Sequence, residues 1–122
     1  MDIRVKADGF PMSPATRDYL DQKLAHIEKL LAADAPLTRC EVELGRDAGR
    51  PRHGANIWFA EIQVKYPGGE TIRATNRSES INGAIDDAQE EIKRQIRNEK
   101  RVHMRLYRRG GRLAKRLLRL EE

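Results

Sequence analysis

Two stretches of this chain repeat apolar residues at helical spacing, and the segments around them alternate apolar and polar residues instead. Leu20, Leu24, Ile27 and Leu31 recur in a four-three-four rhythm, and Ile81, Ile85, Ala88, Ile92 and Ile96 form a second stripe of the same kind. A stripe of that kind makes a helix amphipathic, so both helices must bury one side against a shared partner. Ser13-Pro14 marks the start of the first: the hydroxyl can accept from an orphan amide, and proline at the first helical position gives up an N–H that has no partner there. This helix is expected to run from Pro14 to about Ala33 and to end before Pro36. Ser80 is the expected N-cap of the second, which reaches residue 100 or beyond.

The remaining patterns supply the partner. Ile3 and Val5 alternate with charged residues from Asp2 to Lys6, and Cys40, Val42 and Leu44 alternate with Arg39, Glu41 and Glu43, as half-buried strands do. Gly45 to Gly54 (GRDAGRPRHG) reads as a mobile loop. A longer strand is expected from about Asn56 to Tyr66, with Trp58, Ala60, Ile62, Val64 and Tyr66 on one side. Pro67-Gly68-Gly69 then turns the chain, and Glu70 to Thr75 returns as an antiparallel neighbour. The order is β-α-β-β-β-α. The first two strands flank a helix and should lie parallel through a right-handed crossover, while the others form an antiparallel meander. The fold class that follows is α+β, a two-layer sandwich with a four-stranded sheet and two helices on one face.

A length of 122 residues suits one modest domain. No apolar run approaches the roughly 20 residues of a membrane span, and no signal peptide opens the chain. The single cysteine, Cys40, cannot form an internal disulfide, which fits the reducing cytosol and a cytoplasmic location. Its strand position faces inward, so a small buried hydrophobe is expected. No triad, phosphate loop or close carboxylate pair stands out, and His26, His53 and His103 are scattered without close-spaced metal-ligand pairs. No enzyme activity, cofactor, metal or small-molecule substrate is therefore expected. Trp58 reads as core, with a base-stacking platform as the alternative.

Charge is unevenly placed. The formal net charge is +5, yet residues 100–122 hold nine basic and two acidic residues, leaving the preceding 99 with 15 basic and 17 acidic. The chain accordingly divides into a body, 1–101, and a basic tail, 102–122. Of its 24 basic residues 17 are Arg, which suits phosphate-rich partners. At 100° per residue, Lys93, Arg94, Arg97, Lys100 and Arg101 share an arc of roughly 120° on the second helix. Acids in its first turns and cations in its last also satisfy the helix dipole, so a ridge and a dipole-matched helix both fit the pattern. On the first helix Lys23 and His26 share a flank with Tyr19 and Leu30, with Lys29 further round and Asp18 and Asp21 diluting the charge. In the tail Arg105, Arg108 and Arg109 surround Tyr107. That segment reads as an arm ordering on nucleic acid, a membrane-surface helix, or a helix docking on protein.

Over about residues 1–101 the sequence resembles the ribosome hibernation promoting factor and ribosome-associated inhibitor family, also called sigma-factor modulation proteins. Ser13, Ala15, Arg17, Tyr19, Lys23, Leu24 and Ile27-Glu28-Lys29 carry the likeness in the first helix. Ser80-Ile81-Asn82-Gly83-Ala84-Ile85-Asp86 and Arg94-Gln95-Ile96 with Lys100 carry it in the last. Asn82 stands where the family usually has tyrosine, and Ser80 where it has aspartate. The resemblance implies a double-stranded-RNA-binding-like topology and a translation inhibitor that sits in the decoding channel of the small ribosomal subunit, blocking mRNA and tRNA. It makes Arg17, Lys23, Arg94 and Lys100 candidate rRNA contacts, joined by geometry by Lys93, Arg97 and Arg101, with His26, Lys29, Arg105, Arg108 and Arg109 completing the set. The expected partner is the small subunit and its rRNA, with the chain monomeric off the ribosome. Long family members carry a further dimerisation domain, so this length is that of a short form or a truncated sequence. The alternatives are an interaction protein docking through its tail on an acidic protein or membrane, and a general duplex-RNA-binding module.

Overall fold

A computed structural model describes residues 1–47 and 57–100. The elements are β1 (Asp2–Asp8), α1 (Pro14–Leu31), a 3-10 turn (Ala32–Leu37), β2 (Arg39–Arg46), β3 (Trp58–Lys65) and β4 (Thr71–Ser78). A second helix, α2, occupies 81–100. The four strands form one sheet in the order β1-β2-β3-β4, with β1 parallel to β2 and the other neighbours antiparallel. The expected topology is therefore the observed one. The expected tail, 102–122, and most of the expected 45–54 loop lie outside the described residues.

The register shows why the alternation was decisive. Ile3, Cys40, Val64 and Ile72 stand side by side across the sheet, and so do Val5, Val42, Ile62 and Ala74. Against this face pack Leu20, Leu24, Ile27 and Leu31 of α1 and Ala84, Ile85, Ala88, Ile92 and Ile96 of α2, all buried in one cluster. Cys40 is fully buried there, and burial pushes its thiol up to about 12. The helix starts follow the sequence closely. Ser13 Oγ accepts from Thr16 N at 3.1 Å, and Ser80 Oγ accepts from Gly83 N at 3.0 Å.

Of the boundaries that differ from the sequence reading, among them β1 running on to Asp8 and β3 spanning only Trp58–Lys65, three have a visible physical cause. The helix α1 stops at Leu31, because Ala32 takes a φ of 52° and its N–H closes on Glu28 O. The chain then winds as a 3-10 turn that contains Pro36, and Thr38 Oγ1 fastens its end by donating to Asp34 O at 2.6 Å. Second, Gly45 and Arg46 belong to β2 and not to the loop. A side chain at Gly45 would put its Cβ 2.2 Å from the Phe59 ring, so glycine here lets that ring lie across β2. Third, β4 continues to Ser78, past the expected end at Thr75. Asn76 takes the inner position beside Ala60 and donates to Glu91 of α2 at 3.0 Å, so the strand persists without an apolar side chain.

Candidate nucleic-acid interface

The sandwich presents two unlike surfaces, the uncovered face of the sheet and the outer side of the helix pair. On the sheet, alternate residues of each strand point away from the core, and their charges answer one another. Arg39 and Lys65 both reach Glu41, at 3.2 and 3.0 Å; Arg73 reaches Glu61 at 3.5 Å; Arg77 pairs with Asp47; and Arg4 approaches Asp2 at 3.8 Å. Lys65 above all, with Arg39 and Arg4 adding, holds the Glu41 carboxyl below its ordinary value against the opposing effect of burial. At the end of this face Arg77 stacks 5.5 Å from the centre of the Phe59 ring. Trp58 occupies the inner side, edge-on to Phe10 with centroids 5.2 Å apart and beneath the Arg46 guanidinium. It is half-buried at the end of the sheet and lies outside the buried cluster that the sequence reading expected it to join.

The helix pair is built differently. The helices α1 and α2 run side by side in the same direction, since Tyr19 meets Asp86 and, one turn on, the Lys23 carbonyl and His26 meet Gln89. Asp86 is the knot of the seam. Its Oδ1 accepts from the Tyr19 hydroxyl at 2.5 Å and from Lys23 Nζ at 3.1 Å, while the same ammonium lies 5.4 Å from the Tyr19 ring centre. Hydrogen bonding to Asp86 raises both Lys23 and Tyr19 above their ordinary values; burial opposes the shift of the lysine and reinforces that of the tyrosine. Buried Gln89 donates to Lys23 O at 3.2 Å and sits 3.4 Å from His26 Nδ1, tying the two backbones without adding charge.

Below this knot the seam is cationic. Helical geometry puts Lys93, Arg97 and Lys100 within roughly 60° of one another, on the same flank of α2 as Asp86 and Gln89. Lys93 reaches back to Glu90 at 3.3 Å; among the described residues, Arg97, Lys100, Arg94 and Lys29 are in no ion pair. Arg94 and Lys29 point outward from their helices and flank the seam. Arg17 does not join them: it lies on the opposite flank of α1, bound to Asp21 at 3.0 Å. Arg101, Arg105, Arg108 and Arg109 lie outside the described residues. The structure thus groups Lys23, His26, Lys93, Arg97 and Lys100 along one seam, and adds Asp86, Tyr19 and Gln89, which the sequence reading did not count as site residues.

The described residues offer little for other chemistry. No group of His, Cys, Asp and Glu among them could hold a metal ion, and no helix among them is long and apolar enough to cross a membrane. A pocket of about 380 Å³ between the 3-10 turn and the β3–β4 hairpin is lined by Leu31, Asp34, Tyr66, Glu70, Glu99 and Lys100. Burial, with the three carboxylates, pushes the Tyr66 hydroxyl up to about 12, a value at which it is neither base nor nucleophile near neutral pH.

Comparison with known proteins agrees with this picture. No curated protein matches the chain by sequence. Among solved structures, the N-terminal domain of Thermus thermophilus Protein Y superposes with a TM-score of 0.61 at 28% identity, covering 80% of this chain and 98% of that one. A ribosomal subunit interface protein from Coxiella burnetii superposes at 0.63 over 82% of this chain and 98% of its own, and at 20% identity it speaks for the fold. The family described as sigma 54 modulation protein / S30EA ribosomal protein matches residues 3–103, nearly all of the strands and helices traced above, and the chain belongs to that family.

Proposed function

We propose that this protein is a cytoplasmic, non-enzymatic ribosome-binding factor that occupies the decoding channel of the small subunit and blocks mRNA and tRNA by occlusion. The observation that carries the reading is the contrast between the two faces. Five of the six outward cations of the sheet, Arg4, Arg39, Lys65, Arg73 and Arg77, are spent on neighbouring carboxylates and Lys6 is the exception, whereas Arg94, Arg97 and Lys100 on α2 and Lys29 on α1 pair with no described carboxylate. Exposed pairs gain little from one another, but unpaired cations along a ridge release counterions when phosphates replace them. Phosphate contacts would supply affinity, and the fit of a rigid sandwich to the channel would supply the choice of site. The family to which the chain belongs, described as sigma 54 modulation protein / S30EA ribosomal protein, supports the same reading.

Within this reading Lys23, His26, Lys29, Lys93, Arg94, Arg97 and Lys100 face the rRNA, and the tail cations, with Arg101, Arg105, Arg108 and Arg109, add a sequence-independent electrostatic contribution. The protein is expected to pellet with small subunits and to compete with tRNA. Reversing charge at Lys93, Arg97 and Lys100 together should abolish pelleting while leaving the thermal midpoint nearly unchanged. Retention of full binding by that triple variant would sink the helix-face reading, and equal affinity for any long RNA duplex would favour a general duplex binder.

A further inference from the structure

Asp86 is out of place on a phosphate-binding surface. At 100° per residue it falls on the line that continues through Lys93, Arg97 and Lys100, where the other carboxylate among the described residues, Glu90, is bound to Lys93 at 3.3 Å. It is not buried away from a ligand, since its side chain is 41% exposed and that of its partner Lys23 is 28% exposed. The acid holds Lys23 at 3.1 Å, and Lys23 is fixed further by the Tyr19 ring beneath it and by Tyr19 donating to the same oxygen. A structural hydrogen bond to Tyr19 would need only a neutral acceptor. A full negative charge here lowers the potential of the seam and occupies its first cation.

We propose that Asp86 is a selectivity-determining residue: an internal counter-ion that withholds Lys23 from indiscriminate phosphate contact and presents a carboxylate to any backbone laid along the seam. An RNA surface that places a hydrogen-bond donor opposite Asp86, a 2′-hydroxyl or a base amino group, tolerates the acid. A generic duplex offers phosphates at this point and is repelled. Specificity here rests on a built-in repulsive element as much as on attraction. The raised proton affinity of Lys23 agrees, because it keeps the ammonium charged beside the acid. The claim rests on the reading of the helix seam as an RNA-binding face.

The test is a four-member cycle of the native chain, Asp86→Asn, Lys23→Met and the double variant, titrated with a long generic RNA duplex and pelleted with small subunits. Asparagine keeps an acceptor for Tyr19 and removes only the charge. One more phosphate contact multiplies affinity by about fivefold to tenfold near 0.1 M salt and steepens the log–log salt slope by about 0.8. Asp86→Asn should show that gain on duplex RNA and a smaller gain on small subunits, so that discrimination between the two falls, and Lys23→Met should cancel the duplex gain. Lys23→Met alone leaves the carboxylate without its counter-ion and should lower duplex affinity more than small-subunit binding, with the double variant returning to the native value; a loss that the double variant did not restore would overturn the proposal. Unchanged or reduced duplex affinity in a folded Asp86→Asn variant would overturn the proposal, as would an equal gain on both ligands. If the native chain failed to pellet with small subunits, the ribosomal reading would fall while the duplex arm still decided the role of Asp86.

Discussion

Replacing Gly45 by alanine should destabilise the native chain, and the same replacement should be harmless or stabilising once Phe59 is truncated. Gly45 is buried in β2 opposite Phe59, and an added Cβ would lie 2.2 Å from two ring atoms. The backbone cannot yield easily, because β2 is held by β1 on one side and β3 on the other. The ring must swing away and lose both its seat and the Arg77 guanidinium 5.5 Å from its centre. Overpacking of this kind costs typically about 1–3 kcal/mol, and alanine recovers about 0.5–1 kcal/mol of backbone entropy relative to glycine, so the net loss should be about 1–2 kcal/mol. In Phe59→Ala the clash is gone and only the entropy gain remains, so the sign reverses. Urea denaturation of the native chain, both single variants and the double variant measures the coupling directly. Additive effects would refute the claim that the ring dictates glycine at this position.

Further outcomes follow from individual contacts. Ser13→Ala removes the acceptor of Thr16 N and should lower stability by about 1 kcal/mol in the same urea assay. Leu24→Ala opens a cavity under α1 at a fully buried position and should cost about 3 kcal/mol. Cys40 keeps its proton up to about 12 in the folded chain, whereas an exposed thiol gives it up near 9.0. The unfolded state therefore binds fewer protons above pH about 9, and stability should fall between there and about 12. Tyr66 adds to that slope from 10.0 to about 12, and Cys40→Ala should flatten its lower part in a series of melts against pH. A thiol reagent at pH 8 should leave Cys40 unmodified until denaturant is added.

Much of the fold was legible because it depends on local periodicity. The stripe Leu20, Leu24, Ile27 and Leu31 and the alternation of Cys40, Val42 and Leu44 each report one buried side, and strand order then follows from the crossover rule. The boundaries that moved were set by contacts distant in sequence. Gly45 reads as a loop residue until Phe59 is placed over it, and Asn76 reads as the end of a strand until Glu91 is placed beside it. The same limit governed the site. Lys93, Arg97 and Lys100 could be grouped from their spacing on one helix, but Lys23 and Asp86 are 63 positions apart and meet only because the helices run parallel. Arg17, grouped with Lys23 by motif, parted from it because the flank of a helix is fixed by what the stripe buries.

The central claim is that the helix face, and not the sheet face, meets ribosomal RNA. Its most direct measurement is a footprint of purified small subunits with the native chain and with two charge-reversed variants, one at Lys93, Arg97 and Lys100 and one at Arg39, Lys65 and Arg73. The account predicts protection of decoding-channel nucleotides by the native chain, its loss in the helix variant and its retention in the sheet variant. Protection that survived reversal of the helix cations, or vanished with those of the sheet, would contradict it.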